Sequence, residues 1–64
     1  MNISSLKQQA QQSLQSRQYE TAVQLLEQHC AQQQNDAEAY YLLGQSYAQL
    51  MQYRKAEEAL RTSI

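Results

Sequence analysis

Residues 37–60 read AEAYYLLGQSYAQLMQYRKAEEAL, and this stretch decides the fold. Three of its residues repeat a pattern found 34 positions earlier: Tyr53, Ala56 and Leu60 correspond to Tyr19, Ala22 and Leu26. Self-similarity at a period of about 20–50 residues marks stacked repeats, and about 34 residues make one helix–turn–helix unit. The glutamines that also recur at this offset carry less weight, because the chain contains 14 of them. The sequence therefore predicts two tandem helical hairpins.

Composition and charge narrow the class of protein. A chain of 64 residues forms one small domain at most, and such a domain buries only about 60% of the surface of its unfolded chain. The absence of proline and the single glycine favour an all-helical fold. Five basic side chains against six acidic ones provide no basic patch to bind phosphates, so we expect no nucleic-acid partner.

Location is predicted from three absences in the sequence. No apolar run approaches the roughly 20 residues of a membrane span, so we expect no membrane partner. The first residues lack the charged start and apolar stretch of a secretory signal. A single cysteine forms no internal disulfide framework, which suits a reducing compartment. Together these features favour a cytoplasmic protein.

Hydrophobic periodicity predicts four helices, over residues 3–16, 19–32, 37–50 and from 53 onward. Asn2 or Ser4 is expected to cap the first helix and Asp36 the third, while Asn35 is expected to adopt a left-handed conformation. A coiled coil is excluded because continuing the heptad from Ile3 reaches polar residues. Regularly spaced tyrosines and leucines argue against a disordered glutamine-rich tract.

The second hairpin resembles a tetratricopeptide repeat, in which an aromatic residue, Leu-Gly and Tyr on one helix precede Tyr, Ala and a large apolar residue on the next. The matching positions are Tyr40, Leu43, Gly44, Tyr47, Tyr53, Ala56 and Leu60. Residues 3–36 resemble a degenerate earlier repeat in which Gln9 and Ser13 replace Leu and Tyr. The resemblance implies one all-α domain, a fragment of an α-solenoid. It consists of two antiparallel helix–turn–helix repeats, about 3–36 and about 37–64, the second truncated at its C-terminal end.

The repeat pattern also predicts how the helices pack. Glycine and alanine stand where two helices cross closely, and tyrosine and leucine are expected to fill the space around each crossing. The chain departs from the family in the inner turns, where Arg17-Gln18 and Met51-Gln52 replace Gly-Asp, so we expect weaker capping there. His29 replaces an alanine, and we expect it to splay the end of its helix or to expose its imidazole.

Catalytic and metal chemistry are not indicated. His29 and Cys30 are the one pair that suggests a metal or thiol site, but they point about 100° apart on a helix and have no second His or Cys to complete a set of ligands. We expect Cys30 to be a small buried apolar residue. The sequence thus predicts no catalytic residue, no metal, no cofactor and no enzyme activity.

The resemblance implies that the first helix of each repeat lines a concave binding surface. The partner-binding groove then consists of Lys7, Gln11, Gln15, Glu38, Tyr41, Gln45 and Gln49, flanked by Ser4, Leu14 and Ala48. These residues suit hydrogen bonds to an extended or helical peptide of a protein partner. The alternative is that they form merely solvated helix faces.

Two classes of function follow. The first is a non-catalytic protein–protein interaction module, a scaffold that binds a peptide or helix. The second is an N-terminal structural, oligomerisation or regulatory segment of a longer protein, for example an enzyme such as a transferase. Leu60 and Ile64 predict an uncovered apolar edge, so homo-oligomers through the C-terminal hairpin belong to this second class.

One ligand type known from the family is not expected here. Some relatives hold the C-terminal carboxylate of an acidic tail with one Lys and two Asn. Lys7 matches the Lys position, but Gln11 and Leu42 stand at the two Asn positions. We therefore expect no useful affinity for such tails.

Overall fold

The computed structural model describes residues 5–63 and contains four helices in that part of the chain. They are α1 (Leu6–Gln15), α2 (Tyr19–Gln32), α3 (Ala37–Gln49) and α4 (Tyr53–Ser63). Helix α2 packs against both α1 and α3, and α3 packs against α4. The all-α fold of two antiparallel helix–turn–helix repeats is therefore confirmed.

Helix α1 begins at Leu6 rather than at residue 3. Ser5 Oγ accepts a hydrogen bond from the Gln8 amide at 3.1 Å, and Gln8 Oε1 accepts one from the Ser5 amide at 3.3 Å. This reciprocal pair is a capping box. It replaces the cap expected from Asn2 or Ser4, which lie outside the described residues, as do Ile3 and Ile64.

The two inner turns have the same backbone geometry. Arg17 and Met51 are left-handed, with φ of 60° and 62°. In each turn the second amide past the helix cap donates to a carbonyl five residues earlier, Gln18 to Ser13 at 2.8 Å and Gln52 to Tyr47 at 2.9 Å. These bonds complete a Schellman motif. The C-terminal ends of α1 and α3 are thus capped by the backbone, through left-handed residues that carry a Cβ. The start of α2 is not capped by a side chain, because Gln18 at its N-cap makes no such hydrogen bond, and this agrees with the weaker capping expected there.

Two residues of the connection between α2 and α3 were predicted from the sequence, and one prediction is confirmed and the other wrong. Asp36 caps α3, since its Oδ1 accepts a hydrogen bond from the Ala39 amide at 3.1 Å. Asn35 is not left-handed, because positive φ values within residues 5–63 occur at Arg17 and Met51. The Gln33 amide ends α2 by donating to the His29 carbonyl at 2.7 Å, and the Asp36 amide donates to the Gln33 carbonyl within the connection at 3.4 Å.

The core is narrow and rich in alanine. Its buried apolar residues are Ala10, Ala22, Val23, Leu26, Cys30, Ala39, Leu43, Tyr47, Ala56 and Ala59. Helices with such small side chains pack at close range, as the repeat pattern predicts. Tyr53 was expected in this core but is 65% exposed. It is the first residue of α4, beside the turn, and no described helix covers it there.

Gly44 lies at a close crossing of α3 and α4. A Cβ at this position would lie 2.7 Å from Leu60 Cγ and 3.2 Å from the Ala56 carbonyl oxygen. The first distance is shorter than a Cβ contact allows and the second is tight, so α3 and α4 approach closely because residue 44 has no side chain. The predicted need for a small residue is thereby confirmed.

Replacing Gly44 by leucine is expected to separate α3 from α4 and to lower the free energy of unfolding by about 1–3 kcal/mol. Gln12→Leu adds a leucine at an exposed position of α1 and should change stability by less than about 0.5 kcal/mol. Urea denaturation of both variants measures the difference. Equal losses would contradict the packing described here.

Replacing Met51 by glycine should stabilise the protein by about 0.5–1 kcal/mol, because glycine adopts positive φ without the steric cost paid by other residues. Met51 is 75% exposed, so little packing is lost. Gln34→Gly is the control, since Gln34 lies in the other connection and is not left-handed. In thermal denaturation the melting temperature should rise for Met51→Gly and fall for Gln34→Gly. A lower melting temperature for Met51→Gly would contradict the left-handed turn.

Candidate functional site

The predicted groove residues form two stripes, one on α1 and one on α3. The α1 stripe is Lys7, Gln11 and Gln15, and the α3 stripe is Glu38, Tyr41, Gln45 and Gln49. Since α1 and α3 are both antiparallel to α2, the stripes run in the same direction. Lys7 is half-buried and the other six residues are exposed. Their role in binding a partner stays a prediction.

Lys7 joins the N-terminal ends of the two stripes. Its Nζ lies 2.7 Å from Glu38 Oε1, and 3.2 Å and 3.0 Å from the two oxygens of the Asp36 carboxylate. The hydrogen bonds to Glu38 and then to Asp36 raise the pKa of Lys7 above its ordinary value. Lys7, the one cation among the predicted groove residues, is thus already paired inside the chain.

Asp36 connects three helices through one carboxylate. Its Oδ2 accepts a hydrogen bond from His29 Nε2 at 2.9 Å, in addition to Lys7 on α1 and the Ala39 amide on α3. The bonds from His29, Lys7 and the Ala39 amide, in that order, hold the pKa of Asp36 well below its usual range. We call Lys7, His29, Asp36 and Glu38 the Asp36 junction.

The position of His29 differs from the expectation. The imidazole does not point into solvent, because its side chain is only 15% exposed and binds Asp36. It therefore ties the end of α2 to the start of α3. The sequence contained one local signal for this contact. A basic side chain lies in the last turn of α2, and a short connection separates it from the acidic N-cap of α3.

Tyr41 and Gln45 form an ordered pair in the middle of the α3 stripe. Gln45 Nε2 donates a hydrogen bond to Tyr41 Oη at 2.9 Å, and Tyr41 remains 49% exposed. The pair is four residues apart, the spacing at which helix side chains meet. It places an aromatic ring and an amide side by side on the exposed face of α3.

A second polar contact, which the sequence pattern did not indicate, lies away from the groove. Tyr47 Oη donates to the Glu27 carboxylate on α2, and Lys55 Nζ on α4 lies 5.8 Å from the centre of the Tyr47 ring. Burial, followed by the bond to Glu27, raises the pKa of Tyr47. This contact fastens α2, α3 and α4 together and leaves the tyrosine without a reactive hydroxyl.

Cys30 is buried, as expected, with 6% of its surface exposed. Burial, with the charges of Asp36 and Glu27 as smaller causes, raises the pKa of its thiol. A raised thiol pKa and little access disfavour nucleophilic chemistry. Across residues 5–63, no three His, Cys, Asp or Glu side chains are grouped so as to hold a metal ion.

The longest helix of the described part, α2, has 14 residues, and a bilayer span needs about 20 apolar residues. No helix within residues 5–63 is long and apolar enough to cross a membrane.

Comparison with known families gives a match over nearly the whole chain. Residues 1–63 match the family described as "Anaphase-promoting complex, cyclosome, subunit 3". The chain belongs to this family. The anaphase-promoting complex subunit 3 family consists of tetratricopeptide-type repeats, which confirms the resemblance found in the sequence. No curated protein and no solved structure matches the chain significantly.

Membership in the subunit 3 family indicates a protein–protein interaction module, and repeat families of this type are generally non-catalytic. The division of the chain into repeats at about 3–36 and about 37–64, with the second truncated, stays a prediction.

Replacing Asp36 by asparagine keeps a capping oxygen and removes the charge of the junction. Because folding lowers the pKa of Asp36, its charge stabilises the protein above the ordinary Asp pKa of about 3.9. That stabilisation is lost as the pH falls from about 5 through the folded pKa. The wild type should therefore lose more stability than Asp36→Asn between about pH 6 and 2.5.

Urea denaturation at both pH values measures this difference, with Glu57→Gln as the control. Glu57 is an exposed acid paired with Arg61 on its own helix, so its neutralisation should leave the pH dependence close to that of the wild type. The same pH dependence in the wild type and in Asp36→Asn would show that the junction is not stabilising.

Proposed function

We propose that the chain is a non-catalytic interaction module that binds an extended or helical peptide of a partner protein across the exposed stripes of α1 and α3. The observation that carries the proposal is the Tyr41–Gln45 pair, an ordered aromatic ring and amide on a surface where the other exposed side chains are mostly amides. Tyrosine is typical of binding hot spots because it adds contact area at low entropic cost.

The chemistry of the stripes favours an uncharged polar ligand. Each glutamine amide both donates and accepts hydrogen bonds, as the backbone of an extended peptide requires. Four such amides accompany Tyr41: Gln11, Gln15, Gln45 and Gln49. Lys7 is occupied by Asp36 and Glu38, which supports the expectation that acidic tails bind poorly.

The family also supports a partner that is a protein. Its description names a subunit of a multi-protein complex, and the proposed role for this chain is likewise to hold another protein. Charge supports the same choice, because five basic and six acidic side chains leave no excess of positive charge for nucleic acid. The cytoplasmic location and the absence of a membrane partner stay predictions.

Replacing Tyr41 and Gln45 together by alanine should weaken partner binding about tenfold or more, since both groups lie on the binding surface and neither is in the core. Gln24→Ala with Gln28→Ala on α2 is the control, because both glutamines are exposed and lie outside the stripes and outside the turn between α3 and α4. Quantitative affinity capture from a cell extract compares the variants with the wild type, and denaturation checks that both fold. Unchanged capture by the Tyr41/Gln45 variant would contradict the proposed surface.

The alternative function is a structural, oligomerisation or regulatory segment of a longer protein, such as an enzyme of the transferase class. One observation favours its oligomerisation form: Met51 in the turn between α3 and α4 is 75% exposed, and Tyr53, the first residue of α4, is 65% exposed. Exposed apolar side chains close together invite association. Leu60 is half-buried and Ile64 lies outside the described residues, so the apolar edge expected there stays a prediction.

Sedimentation of the isolated chain tests self-association through the C-terminal hairpin. The alternative predicts dimers that increase with protein concentration, and a double variant, Met51→Asn with Tyr53→Gln, that remains monomeric because its turn is polar. A folded wild-type monomer at high micromolar concentration would contradict self-association through the C-terminal hairpin.

A further inference from the structure

One oxygen of Asp36 is shared by two basic side chains. Its Oδ2 lies 2.9 Å from His29 Nε2 and 3.0 Å from Lys7 Nζ. The side chains of His29, Lys7 and Asp36 are 15%, 23% and 23% exposed, so water screens these contacts less than contacts on the open surface. A change in the charge of His29 therefore changes how strongly Asp36 holds Lys7.

The Asp36 junction contains two carboxylates and one fixed cation. Its net charge is negative when His29 is neutral, and protonation of His29 brings it to zero. Lys7 also contacts Glu38 at 2.7 Å, and the Glu38 side chain is 64% exposed at the start of the α3 stripe. Asp36 thus contacts His29 directly, Lys7 contacts Asp36, and Glu38 contacts Lys7.

We propose that His29 controls the charge at the N-terminal end of the groove and thereby its preference for anionic groups. Protonated His29 neutralises Asp36, which loosens its hold on Lys7, and the ammonium is then more available to an anion near α1 and α3. With neutral His29 the carboxylates keep Lys7 occupied, and anions are repelled. An effect of His29 on peptide binding rests on the proposed function. The change in charge at Lys7 and Asp36 does not depend on it.

The composition of the chain makes the charge change of His29 easy to distinguish from that of other side chains. His29 is the sole histidine among the 64 residues. Histidine is the one side chain whose ordinary charge change falls between about pH 5 and 8. Burial raises the pKa of the Cys30 thiol, which moves that group further from this range. The α-amino group at the start of the chain also titrates near this range, so a transition at Lys7 or Glu38 is assigned to His29 by its loss in His29→Gln.

Nuclear magnetic resonance of the full chain between pH 5 and 8 provides the first test. The Lys7 Cε and Glu38 carboxyl resonances should shift with the same midpoint as the His29 ring. His29→Gln, which keeps a donor but cannot become charged, should abolish both shifts. Static Lys7 and Glu38 resonances while His29 titrates would overturn the proposal, as would shifts that persist in His29→Gln. If that variant does not fold, the wild type decides: equal midpoints for the His29, Lys7 and Glu38 resonances support the proposal, and different midpoints overturn it.

Sulfate alone provides the second test, because it remains a dianion throughout this pH range. Its apparent affinity, read from the Lys7 resonance, should be about threefold higher at pH 5.5 than at pH 8 in the wild type, as expected for one added charge nearby. His29→Gln should show no such change. Equal affinity at both pH values in the wild type would overturn the proposal. Neither test uses a peptide, so failure of the proposed peptide binding would be seen separately in the Tyr41/Gln45 experiment.

Discussion

The carboxylate of Asp36 holds three helices in one arrangement. It caps α3 through the Ala39 amide, binds Lys7 of α1 and accepts a hydrogen bond from His29 of α2. An N-cap alone contributes about 0.5–2 kcal/mol. Here the same group also closes the connection between the two hairpins, so its charge and its hydrogen bonds act on the relative position of the hairpins as well as on α3.

This junction matters more because the apolar core is small. Half of the buried core residues are alanines, and Leu26 is the largest fully buried apolar side chain within residues 5–63. Alanine buries little apolar area, so the hydrophobic gain per residue is low. The fold compensates by close helix approach, as at Gly44, and by polar contacts between helices, at the Asp36 junction and at Tyr47 with Glu27. The groove stripes remain outside this core.

Features set by nearby residues were predictable from the sequence. Helix periodicity predicted all four helices, and the interruption before Asp36 predicted the cap of α3. The missed features depend on which helix ends meet in space. The bond between His29 and Asp36, the contact of Tyr47 with Glu27 and the exposure of Tyr53 each require the packed arrangement, which hydrophobic spacing alone does not supply. The groove residues stay a prediction from the resemblance, and the pairing of Lys7 with Glu38 was visible only in the structure.

Asp36 couples α1 to the rest of the fold through Lys7. A double-mutant cycle of Lys7→Gln and Asp36→Asn, with the free energy of unfolding measured by urea denaturation near pH 7, tests this coupling. We expect a coupling free energy of at least about 0.5 kcal/mol, decreasing at high salt. Strictly additive effects of the two substitutions would contradict it.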